Sequence, residues 1–175
     1  MTSHADNHDK DKLTRWQRDL TSGSSVAFPA YAIFLVSAED KYAHDVFRKF
    51  RSSFEERDAG FERLVIFGQH GVSTTVHGLL DQFGLNLESL PLLAMLSDPS
   101  AERLDSIPLA PGATDAGDTK PGGQDLWQQV LERVEAAAAR DEKVLDLIDL
   151  PGVGSCPLGS PSLVDLVEGM LAQLP

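Results

Sequence analysis

The chain has 175 residues, 42% hydrophobic and 24% charged, a balance that lets a globular core form without disulfide or metal staples. One cysteine, Cys156, excludes an internal disulfide framework and any Cys-x-x-Cys redox or metal pair. Fifteen basic against 27 acidic residues, a net charge of -12, argue against nucleic acid or an anionic membrane as partner.

The charge is uneven: residues 1–63 carry 10 basic and 11 acidic side chains, residues 64–175 carry 5 and 16. The acidic half reads as a solubilising surface. The polar, mixed-charge N-terminus lacks the pattern of a secretory signal. The longest apolar run, Val26 to Val36, falls far short of the ~20 residues that span a bilayer. A cytoplasmic protein without membrane contact is therefore expected.

Residues 1–25 read as a flexible tail with a short helix, because Leu13, Trp16 and Leu20 recur at helical spacing after twelve mostly polar residues. Tyr31 to Ser37 is a continuous apolar run of strand length, the pattern of a strand buried on both faces. Tyr42, Val46, Phe47, Phe50 and Phe54 then form one stripe on a helix from about Asp40 to Glu56. Arg63 to Phe67 is a second buried strand, broken by Gly68 to Gly71. Ser73 or Thr74 can cap a helix carrying Val76, Leu79, Leu80 and Phe83, with Gly84 as its stop. Leu92 to Leu96 is a third strand and Arg103 to Leu109 a fourth. Residues 110–124, rich in Gly, Pro and Asp, read as a disordered loop. A long helix follows from Asp125 to about Lys143. Leu145 to Leu150 is ambiguous between helix end and strand, and Pro151 to Pro161 reads as a loop. A last helix carries Leu163, Leu166, Val167, Met170, Leu171 and Leu174 on one side. Strands alternating with helices at this spacing predict an α/β fold with a central sheet.

A strand running straight into a long helix, a second strand and helix, and then Leu90-Pro91 opening an apolar strand give an order of parts that resembles the thioredoxin-like fold. The resemblance covers Tyr31 to Ala139 and rests on pattern rather than on an invariant motif. It implies a three-layer sandwich with a central sheet of about four strands over residues 26–143, followed by a C-terminal helical extension over 144–175. It also implies a cis peptide bond before Pro91. The redox cysteines of that family would fall at Asp40 and Ala43, so dithiol exchange is excluded. Partners of the family dock beside the proline loop. Here that surface would comprise Ser89, Leu90 and Pro91, with Glu39, Asp40, Lys41 and Tyr42 across a groove and His70 nearby.

Other motifs carry less. Leu147-Ile-Asp-Leu-Pro-Gly-Val-Gly154 looks like a GTPase element, but the chain has no Gly-Lys pair to build a phosphate loop. Gly152, Gly154 and Gly159 precede a helix, yet Pro157 and Pro161 remove amide donors that an anion would need. No basic residue follows Lys143 to activate Cys156. His70, and His77 with Asp81 one turn on, offer the best acid–base position, with no supporting catalytic motif. The reading is a non-catalytic thioredoxin-like protein-binding module, an adaptor, assembly or regulatory factor, using Asp40, Tyr42, His70, Leu90 and Pro91. It needs no cofactor, metal or catalytic residue. The alternative is an enzyme: a single-thiol oxidoreductase using Cys156, or a small-molecule enzyme using the His70 region. The C-terminal helix offers a further reading, a homodimer formed through its apolar side.

Overall fold

The computed structural model describes residues 4–22, 30–57, 63–96, 102–109, 126–142, 145, 147, 149–150 and 152–173. It is a mixed α/β protein. Five strands, β1 (Tyr31–Leu35), β2 (Leu64–Phe67), β3 (Leu92–Leu96), β4 (Arg103–Pro108) and β5 (Gly154–Pro157), form one open sheet in the order β2-β1-β3-β4-β5. Five helices, α1 (His4–Ser22), α2 (Lys41–Glu56), α3 (Thr74–Gln82), α4 (Leu126–Ala139) and α5 (Leu163–Gln173), accompany it. None is long and apolar enough to cross a membrane.

β1 and β2 are parallel, as a strand–helix–strand crossover requires, and α2 is that crossover. β3 runs antiparallel to β1 in the register Leu35↔Leu92, and β4 antiparallel to β3. All residues of β1, β2 and β3 are buried, which is why these segments read as unbroken apolar runs rather than as alternation.

The pleat sends alternate residues into two separate cores. Ala32, Phe34, Leu64, Ile66, Leu93 and Met95 join Val46, Phe50 and Phe54 of α2 and Trp127, Val130 and Val134 of α4. Phe34 meets Phe47 and Phe50 edge-on at ring separations of 5.3 Å. Leu145, Leu147 and Leu150 fill the same core. On the other face, Ile33, Leu35, Val65 and Phe67 join Leu13 and Trp16 of α1, Val76 and Leu79 of α3, and Leu163, Leu166, Val167 and Met170 of α5. The apolar side of α5 is thus buried within its own chain.

Three features differ from the sequence reading. Among the described residues the sheet has five strands rather than about four. The fifth lies in the expected loop from Pro151 to Pro161, and pairs Cys156 with Leu104. Its four residues turn only Cys156 inward, and Gly and Pro bound it, so its sequence carries no apolar alternation. An edge strand tolerates such a proline. The first helix begins at His4, well before the Leu13 periodicity, because tertiary polar contacts hold its first turns. Helix α1, read as part of a flexible tail, completes the second core together with the apolar side of α5. The expected loop at 110–124 lies outside the described residues.

Candidate functional site

The C-terminal ends of β1 and β2 and the start of β3 lie together at one end of the sheet, so topology gathers there the five residues expected to bind. Leu90–Pro91 is a cis peptide bond, as the resemblance implies. Leu90 and Pro91 are half-buried. The Leu90 N–H donates to Leu87 O (3.2 Å), and Pro91 O accepts from Leu109 N (3.0 Å). These backbone groups are therefore satisfied within the chain.

The start of α2 is closed by its own side chains. Asp40 stands at the N-cap position, but its carboxylate turns backward instead of capping the helix amides. It accepts from Ser37 N (2.7 Å) and Ser37 Oγ (2.9 Å), while His44 Nε2 donates to Ser37 O (3.0 Å). Tyr42 is half-buried, and its hydroxyl accepts from Trp127 Nε1 (2.8 Å), which ties α2 to α4. No thiol stands at this corner. Cys156 is buried in the second core, on β5 opposite Leu104. That places it about 13 Å along the strands from the Leu92↔Pro108 pair and one strand further out.

His70 is exposed and stacks on His8 of α1, ring centroids 3.9 Å apart. Around this pair lies a polar cluster that sequence reasoning missed. Asp6 accepts from Thr74 N (2.7 Å) and Thr74 Oγ1 (3.1 Å) at the start of α3, where a negative charge suits the helix dipole. Ser73 caps α3 by accepting from Val76 N (3.2 Å), and donates its own hydroxyl to Asp9 (2.5 Å). Asp9 is 1% exposed. Lys12 Nζ lies 3.8 Å from Asp9 and donates to Ile66 O (3.0 Å) and Gln69 Oε1 (2.8 Å). The signal for this cluster was absent from the sequence: Asp6, Asp9 and Lys12 sit among polar residues with no apolar periodicity, and their partners are more than fifty residues away.

Burial pushes the Asp9 carboxyl above its ordinary 3.8, against the opposing pull of Ser73 and Lys12. Burial likewise pushes Lys12 below 10.5, against the pull of Asp9. With its folded pKa raised, Asp9 contributes stability that is fully present below pH 3.8 and is lost as pH rises through the folded value. Asp9→Asn removes that loss. Urea unfolding from pH 4 to 7 should therefore move the stability difference in favour of the variant as pH rises. A difference independent of pH refutes the burial cost.

The other motifs are engaged structurally. Asp149 accepts from both terminal nitrogens of Arg133 (2.9 and 2.5 Å), and these bonds pull its carboxyl below 3.8. His77 and Asp81 border a shallow groove of about 410 Å³ with Leu85, Asn86, Leu87 and Glu88. Among the described residues no three His, Cys, Asp or Glu side chains stand close enough to share a metal ion. Val72 (39% exposed) lies on the loop leading from β2 and Leu87 (48%) on the segment leading into β3, which ends in half-buried Leu90 and Pro91. Comparison of the chain with protein-family models, with curated proteins and with solved structures finds no match.

Proposed function

We propose that this chain is a non-catalytic thioredoxin-like module that binds another protein at the sheet end formed by the Leu90–Pro91 step, the start of α2 and the β2–α3 loop. The order of parts supports the resemblance: β1 runs into α2, β2 into α3, and the Leu-Pro step opens β3. One observation carries the function. The ionisable and hydroxyl groups Asp40, His44 and Tyr42 are held in internal hydrogen bonds, whereas Val72 and Leu87 present apolar side chains to solvent on the segments leading from β2 and into β3. A surface with satisfied polar groups and protruding apolar ones suits docking better than proton transfer. The buried position of Cys156 weighs against a single-thiol enzyme.

The structure changes how this reading should be tested. Asp40 and Tyr42 variants would break the Ser37 and Trp127 bonds and cost stability. Val72→Asp with Leu87→Asp alters only exposed side chains. A partner retained by the wild-type chain should bind this double variant at least about tenfold more weakly at unchanged melting temperature. Undiminished affinity would place the surface elsewhere. Disulfide reduction that survives Cys156→Ser would overturn the non-catalytic reading itself.

A further inference from the structure

A second feature lies away from the sheet end. β2 is an edge strand, and along its outer side runs a groove of about 440 Å³ lined by Lys12 and Arg15 of α1, Phe47, Arg51 and Phe54 of α2, and Leu64 of β2. The two helices cover opposite faces of the sheet, so the groove between them opens directly onto the strand's backbone.

The hydrogen bonds settle which backbone groups face the groove. Phe67 O accepts from Val36 N, so Phe67 and Val65 point toward β1. Ile66 O accepts from Lys12 Nζ, so Ile66 and, two residues back, Leu64 point outward. Lys12 takes up one outward carbonyl. Among the described residues, nothing takes up the Ile66 N–H or the Leu64 C=O. Unpaired groups of this kind template strand addition.

The rim sets the partner's chemistry. Arg15 and Arg51 stand at the rim of a chain whose net charge is -12, while Lys12 is already held by Asp9, Ile66 O and Gln69 Oε1. Arg15 pairs with Asp19 (3.9 Å) and Arg51 with Glu55 (3.0 Å). Both are i,i+4 contacts of exposed arginines, weak enough to exchange for an incoming carboxylate. Half-buried Phe47 provides an apolar wall on the α2 side. An added strand alternates its side chains between the two faces. We infer that the β2 edge is a docking site for an extended peptide segment of alternating acidic and apolar residues, with acids toward Arg15 and apolar side chains toward Phe47.

The probe is a fluorescein-labelled Val-Glu-Val-Glu-Val-Glu peptide with blocked ends, titrated with the full chain at low salt and followed by anisotropy. Saturable binding is expected, with slowed amide exchange at Ile66. Arg15→Glu with Arg51→Glu should weaken it at least about tenfold at unchanged melting temperature, since both side chains are exposed. The Val-Lys peptide, and a Val-Glu peptide methylated on alternate amide nitrogens, should bind at least about tenfold more weakly too. The inference is overturned by equal binding of either control peptide, by an indifferent double variant, by protection elsewhere, or by no saturation up to about 1 mM.

Discussion

Replacing Trp16 by alanine is expected to cost about 3–5 kcal/mol of folding stability. Trp16 is 1% exposed and packs against Phe67 of β2 at a ring separation of 5.9 Å. It also shares the second core with Leu13, Val76 and α5. Truncation would leave a cavity between three helices and the sheet, and rigid neighbours on every side limit collapse into it. Urea unfolding of the wild type and the variant measures the effect. A loss below about 1 kcal/mol would mean that α1 is an appendage rather than part of the core.

Gly68→Ala is expected to be more severe, a loss above about 4 kcal/mol or failure to fold. Gly68 has φ +97°, a conformation that side chains with a Cβ rarely adopt, and a Cβ there would sit 1.8 Å from Val36 O and 2.9 Å from Val36 C. Nothing can yield, because the obstacle is backbone and the Val36 N–H is fixed by its bond to Phe67 O. Gly84→Ala is the matched control: φ is +72°, but nothing lies within 4 Å of the added Cβ. It should cost only about 1–2 kcal/mol, the conformational part alone. Equal losses at the two sites would show that the contact with Val36 is relieved by some movement. Denaturant midpoints of the two variants decide the matter.

Elements whose apolar side chains pack into the cores were readable from spacing. The stripe Val46, Phe50 and Phe54, the run Leu92 to Leu96, the Ser73 cap and the apolar side of α5 all stand where their patterns put them. Elements held by polar or purely backbone contacts were not. The first turns of α1 exist because Asp6 and Asp9 reach Thr74 and Ser73, and β5 exists because β4 offers it an edge. The candidate site divides the same way. Topology brought Asp40, Tyr42, His70, Leu90 and Pro91 to one end of the sheet, a placement that follows from strand order. Spacing alone could not reveal that the Asp40 carboxylate turns back to Ser37, that Tyr42 is tied to Trp127, or that His70 stacks on His8. The last two are distances between segments the sequence keeps apart, and the first is a side-chain direction that spacing does not set.

The contact of α1 with α5 sets an order on synthesis. Gln17 Nε2 donates to Glu168 (3.4 Å), and Leu13 and Trp16 share a core with Leu163, Leu166 and Met170. Leu163 is made 141 residues after Ser22. At ribosomal rates of about 5–20 residues per second, α1 waits roughly 7–30 s for its partner helix. In the later part of that interval, once β1, β2 and α3 have been made, the face of the sheet formed by Ile33, Leu35, Val65 and Phe67 lacks α5, and the groove that α5 will fill stays open to any apolar chain nearby. The nascent protein thus passes through a window in which a chaperone, or a second nascent copy, competes with its own last helix.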